Sequence, residues 1–127
     1  MARTAVTPVA LVANAHNLEG AGTALDAANG HVIDCKGIKS GKLLIRIKNT
    51  FAGSKAATIK AGGVHPPAFR KSLGDLTVTL ASQNDISTLV LESARFVGQA
   101  AGDQNLFIDL AASMTGTIWV FTLPDTV

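Results

Sequence analysis

The sequence predicts an all-β chain: a single-domain antiparallel β-sandwich, jelly-roll-like, of about 8–10 short strands. Three observations predict it. Apolar and polar residues alternate with period two in several short runs, as in strands with one buried face. Turn clusters rich in Gly, Asn, Asp and Ser separate those runs about every 8–12 residues. No segment carries a helical stripe for more than two turns.

In chain order, residues 1–7 read as an extended N-terminal arm and 8–127 as the sandwich domain. Residues 8–13, 23–25 and 31–34 are weak strand candidates, with the turn Ala28-Asn29-Gly30 before the third. After the turn Lys39-Ser40-Gly41 comes the clearest strand, Lys42 to Lys48, in which Leu43, Ile45 and Ile47 share one face. Residues 57–60 precede the turn Ala61-Gly62-Gly63. Pro67 could open a short helix over 67–73 and Gly74 close it. Leu76, Val78 and Leu80 then alternate with Thr77 and Thr79, and 87–91 and 94–97 are further weak strands. Leu106, Ile108 and Leu110 alternate with Phe107 and Asp109. After Met114-Thr115-Gly116, the run Thr117 to Leu123 is apolar on both faces, which predicts a central or interface strand.

With 127 residues the chain reads as one domain, able to bury roughly two thirds of its unfolded surface. The lone Cys35 has no partner for an internal disulfide, which fits a reducing compartment and a small buried hydrophobe. The first residues lack a secretory h-region, and no apolar run approaches the ~20 residues of a membrane helix. A soluble, non-secreted protein is the expectation.

Charge is split by position. Nine of the eleven basic residues lie between Cys35 and Gly74, where there is no acidic residue, so a net charge of +2 hides a basic middle and acidic ends. Lys42, Arg46, Lys48, Lys55, Lys60, Arg70 and Lys71 are therefore candidates for docking onto a charged partner surface. Solvated strand faces are the competing reading. Nucleic acid is a minor one, because only Phe51 and Phe69 stand among these charges to stack on bases.

The residues for chemistry are scattered. His16, His31 and His65 have no metal-ligand spacing, and the aspartates form neither a calcium loop nor a selected acid-base pair. There is no G-x-S-x-G elbow and no phosphate loop. We expect no catalytic, cofactor-binding or metal residues. The apolar residues on the polar side of their strands are more telling. Leu44 lies among Lys42, Arg46 and Lys48; Phe107 lies opposite Leu106 and Ile108; Trp119 and Phe121 lie opposite Ile118 and Val120. These four are candidate oligomer contacts, unless the domain covers both faces itself. The proline-stiffened segment 62–74 is a second candidate contact.

The order of segments is familiar. The chain opens Val6-Thr7-Pro8-Val9-Ala10-Leu11-Val12-Ala13-Asn14, continues through Gly22-Thr23-Ala24-Leu25-Asp26-Ala27-Ala28-Asn29-Gly30-His31-Val32-Ile33, and has a Leu-Leu-Ile-Arg-Ile strand ending in Asn49-Thr50. Thr58-Ile59-Lys60-Ala61-Gly62, Gly74-Asp75-Leu76-Thr77-Val78, Leu91-Glu92-Ser93-Ala94-Arg95-Phe96 and Gly116-Thr117-Ile118 follow. This pattern resembles the small β-sandwich capsid decoration, or cement, proteins of tailed bacteriophages. The resemblance covers nearly the whole chain but rests on turn and strand signatures, so it transfers no functional residue. It implies a non-enzymatic virion protein, assembled in the host cytoplasm, on the outer surface of the head. Its partners would be the major capsid protein and copies of itself, a trimer about a capsid symmetry axis being one arrangement. Alternatives are a tail, neck or fibre component, or a carbohydrate-binding sandwich; with no Tyr and a single Trp, the chain offers little aromatic platform for sugar.

Overall fold

A computed structural model describes residues 2–38, 41–61, 71–91, 93–97 and 104–124. Its strands are β1 (Thr4–Ala5), β2 (Val9–Ala10), β3 (Thr23–Ala24), β4 (His31–Asp34), β5 (Leu43–Asn49), β6 (Lys55–Ile59), β7 (Leu76–Leu80), β8 (Ile86–Leu91), β9 (Asn105–Leu110) and β10 (Gly116–Thr122). The pairing is nested. β3 pairs with β10, β4 with β9, β5 with β8 and β6 with β7, all antiparallel. A long hairpin rolled upon itself gives this order, and rolling adds the contacts β10–β5 and β6–β9. The result is the jelly roll predicted from the sequence. One sheet runs β1-β4-β9-β6-β7 and the other β2-β10-β5-β8, with β3 also on β10.

Both sheets are mixed. β1 runs parallel to β4 and β2 parallel to β10. Residues 4–10 lie along their own domain and cross from the edge of one sheet to the edge of the other. Val6, between the two pairings, is buried in the core. Arg3 anchors the start of this strap: its guanidinium pairs with Asp109 at 2.7 Å, donates to the Ile108 carbonyl at 3.0 Å and lies over the Phe107 ring.

The core lies between the sheets. Leu43, Ile45 and Ile47 of β5 and Ile118 and Val120 of β10 pack toward Ile33, Ala57, Ile59, Val78, Leu80, Leu106 and Ile108. The period-two reading of these strands holds residue for residue. Each such aliphatic side chain, fully buried, contributes roughly 1.5–3 kcal/mol. β10 is central, as its two apolar faces predict, lying between β5 and the short strands β2 and β3. Gly116 lets it start there, since a Cβ at φ +147° would overlap the Lys48 carbonyl oxygen.

One strand expectation fails. Ser93–Phe96 is a single helical turn (α1), not a strand over 94–97. Phe96 and the adjacent Val97 are both buried, and neighbouring residues of a strand point to opposite faces. A helical turn sends both inward while the Arg95 Nε–H donates to the Gly74 carbonyl at 3.0 Å. Of the short helix expected over 67–73, a 3-10 turn at Lys71–Leu73 is present, closed by Gly74 at φ +78°; the remainder lies outside the described residues.

Two buried polar side chains bind loops to strands. His31 is fully buried at the start of β4. Its Nδ1 faces the Thr4 carbonyl, which can only accept, so Nδ1 carries the proton and Nε2 accepts the Asp26 N–H, both at 3.1 Å. Asp26 in turn accepts from the Thr4 hydroxyl at 2.6 Å and from the Asn29 main chain and side chain. Those bonds, the Thr4 hydroxyl first, hold its carboxyl below the usual range. Asn49, also fully buried, donates Nδ2–H to the carbonyls of Gly53 and Ser82 and accepts the Phe51 N–H at 3.0 Å, joining the β5–β6 and β7–β8 turns. Cys35 is buried, and desolvation pushes its thiol up to about 12, so it stays an unreactive thiol.

Two outcomes follow. Asn49→Ala strands three main-chain groups and should lower stability by about 2–4 kcal/mol, read as a fall in urea midpoint at unchanged m-value. Burial pushes His31 below its ordinary value of 6.5, so the unfolded chain binds a proton there before the folded one does. Stability should therefore be full above pH 6.5 and decline as pH falls from 6.5 toward the depressed folded value. Melting temperatures from pH 8 down to 5, with His31→Asn giving a flatter profile, check this.

Candidate functional surface

The outer face of the β2-β10-β5-β8 sheet collects most of the residues singled out from the sequence. Strand register builds it in cross-strand rows. Val9, Phe121, Leu44 and Val90 form one continuous apolar row. Trp119, Arg46 and Thr88 form the next, and Thr117, Lys48 and Ile86 the third. Lys42 continues β5 beyond the apolar row, where its carbonyl accepts the Leu123 N–H. The row has exposed ends, Val9 at 51% and Val90 at 56%, and a covered middle.

The chain's own loop, residues 11–22, lies over the neighbouring Trp119–Arg46 row. The Trp119 indole N–H donates to the Gly20 carbonyl at 3.2 Å. Arg46 stacks over the same indole, 5.0 Å from guanidinium carbon to ring centroid, and forms an ion pair with Glu19. Gly22, at φ +72°, passes so near that a Cβ would lie 2.7 Å from the indole nitrogen. Asn17 closes the loop by bonding both main-chain groups of Val12 at 3.0 Å. Between this loop, residues 5–9 and β10 is a cleft of about 300 Å³ bordered by Val9, Glu19, Trp119 and Phe121.

One expected contact is covered more than its alternation suggests. Phe121, read as an interface residue, is only 8% exposed: it lies beside Val9 of β2 and borders the cleft under segment 19–22. Trp119 is half-buried by the same loop and Phe107 by the Arg3 guanidinium, while Leu44 is half-buried between Phe121 and Val90. Local contacts inside the monomer claim much of what the alternation left outside.

Nor do the basic residues form one patch. Lys42, Arg46 and Lys48 share the outer face of β5, but Arg46 is already neutralised by Glu19. Lys60 is on the opposite sheet, paired with Asp75 at 2.9 Å, which raises its pKa. Lys55 donates to the Ala112 carbonyl at 2.7 Å and lies over the Phe51 ring. Arg70 and the side chain of Lys71 lie outside the described residues, as does 62–70 of the second contact segment. β5 and β6 belong to different sheets, so a run of charge in sequence is divided between two opposite faces. Lys42 and Lys48 make no ion pair among the described residues.

Sequence reasoning overlooked Val9, Ile86 and Val90, exposed hydrophobics of the same face, with Ile86 opposite Lys48. The alternation of Ile86, Thr88 and Val90 along 86–91 was the available signal. No described helix is long and apolar enough to cross a membrane. No family model, curated protein or solved structure matches the chain.

The loop's seating is directly readable because Trp119 is the only tryptophan. Gly22→Ala should lift segment 19–22 from the indole and shift its fluorescence to longer wavelength while far-ultraviolet circular dichroism stays unchanged.

Proposed function

We propose that this chain is a non-enzymatic structural protein of a tailed-phage virion, a decoration protein that binds the outside of the head and stabilises neighbouring major capsid subunits. The observation that carries the reading is the outer face of the β2-β10-β5-β8 sheet: an apolar row from Val9 to Val90, with Lys42 next to it along β5 and Lys48 two rows away, opposite Ile86. Apolar contact area with charge at its margin is the composition of a protein-docking surface, in which burial supplies affinity and charge sets orientation. The resemblance of the segment order to cement proteins supports the phage setting, and jelly rolls are widely used in viral shells. Fold alone would leave many functions open.

A rigid frame suits the role. The two-sheet core and the strap of residues 4–10 leave little of the described chain to order on docking, which limits the entropic cost of binding. Lys42 and Lys48 favour an acidic partner surface, and among the described residues their charge is in no ion pair, unlike that of Arg46 and Lys60.

Electron cryomicroscopy of particles with and without the protein is the direct test. Density on the outer face of the head between capsid subunits is expected; density at the tail or neck would instead assign it to those parts. Lys42→Glu combined with Lys48→Glu should lower head occupancy by about tenfold or more at low salt, with the deficit to wild type narrowing as salt rises. Unchanged occupancy across the salt series would remove these lysines from the contact.

A further inference from the structure

We infer that β8 is a self-complementary edge through which two copies of the chain join their sheets by antiparallel pairing about Thr88. β8 closes the β2-β10-β5-β8 order and pairs only with β5 among the described residues. Its ladder to β5 runs without a bulge from Lys48↔Ile86 to Leu43↔Leu91. The Asn49 N–H donates to the Asp85 carbonyl at 3.0 Å, and the Gly41 N–H donates to the Leu91 carbonyl. Antiparallel alternation then turns the main-chain groups of Ser87 and Leu89 toward β5, and those of Ile86, Thr88 and Val90 toward the open edge. The same three residues carry exposed side chains, with Ile86 at 43% and Val90 at 56%.

An edge of this kind is a template for strand addition unless something blunts it. The usual devices are missing from β8: Ile86-Ser87-Thr88-Leu89-Val90-Leu91 contains no proline and no charge. Other edges are blunter. β1, β2 and β3 are two residues each, and β7 exposes threonines, Thr77 and Thr79, in place of large apolar side chains.

The sequence of β8 selects a second copy as the occupant. An antiparallel two-fold at Thr88 sets Thr88 opposite Thr88 of the second copy and Ile86 opposite its Val90. Both exposed hydrophobics of each chain are then covered by the other chain, on one continuous face, and no like charges meet. The open main-chain groups at 86, 88 and 90 form the shared ladder, and the contact is isologous. The apolar rows of the two protomers become parts of one extended sheet face. This inference does not depend on the phage reading.

Sedimentation equilibrium of the full chain over a concentration series tests it, together with two variants. Wild type should populate a dimer. Thr88→Lys places two like charges face to face at the two-fold and should raise the dimer dissociation constant by about tenfold or more. Thr88→Cys should form an intermolecular disulfide on mild oxidation, because directly opposed residues of a hydrogen-bonded pair have Cα atoms about 5.5 Å apart, within disulfide reach. Cys35 is buried and will not compete, and Thr79→Cys on β7 is the control that should remain monomeric in the same gel. Thr88 is exposed, so both variants should fold, with the far-ultraviolet circular dichroism of wild type. A wild type that stays monomeric throughout, or an oligomer that survives Thr88→Lys while Thr88→Cys fails to crosslink, overturns the inference.

Discussion

The seven-residue ladder between β5 and β10 is the contact on which the rest of this molecule depends. It joins the middle of the chain to its end, from Gly116↔Asn49 to Thr122↔Leu43, and thereby rolls a nested hairpin into two layers. The same register settles both faces at once. Ile45, Ile47, Ile118 and Val120 enter the core, and Leu44, Arg46, Trp119 and Phe121 are delivered together to the outer side. A shift of one residue would exchange those sets, removing the core and exposing four isoleucines and valines, so burial holds the register firmly.

The N-terminal stretch completes what that ladder leaves open. Residues 4–10 bridge the two sheets, and 11–22 return over the face that β10 and β5 create. Polar side chains hold this wrapping: Arg3 with Asp109, His31 with Thr4 and Asp26, and Arg46 with Glu19. They differ in weight. The exposed pairs contribute little individually because water screens them. His31 is buried and fully bonded, so losing its partners would leave polar atoms stranded without water, which costs far more. The outer face is thus shaped by the folding of one chain, with a covered centre and an exposed margin at Val9, Ile86 and Val90. That margin is apolar surface the described chain leaves open, with Lys48 opposite Ile86.

Much of the architecture was legible from residues 42–48, 76–80, 106–110 and 117–123, because period-two alternation reports directly which side of a strand is buried. The centrality of β10 was legible for the same reason: apolar residues on both faces need cover on both sides. The turn at 94–97 was misread because Phe96 and Val97 are both apolar and β-compatible, and only the space at the end of the sandwich requires both to point inward. The candidate surface was half legible. Leu44, Arg46 and Trp119 do converge, but the covering of Trp119 by a loop some hundred residues away leaves no local trace.

By itself, then, the sequence determined the all-β class, the strands and their inward faces, since these follow from local alternation and turn chemistry. Tertiary structure alone decided which charges share a face and which apolar residues stay exposed. Pairings such as β3–β10 and β5–β10 join residues far apart in the chain. The chain crosses between sheets after nearly every strand, so neighbours in sequence are assigned to opposite surfaces: Lys42 and Lys48 to one, Lys60 to the other.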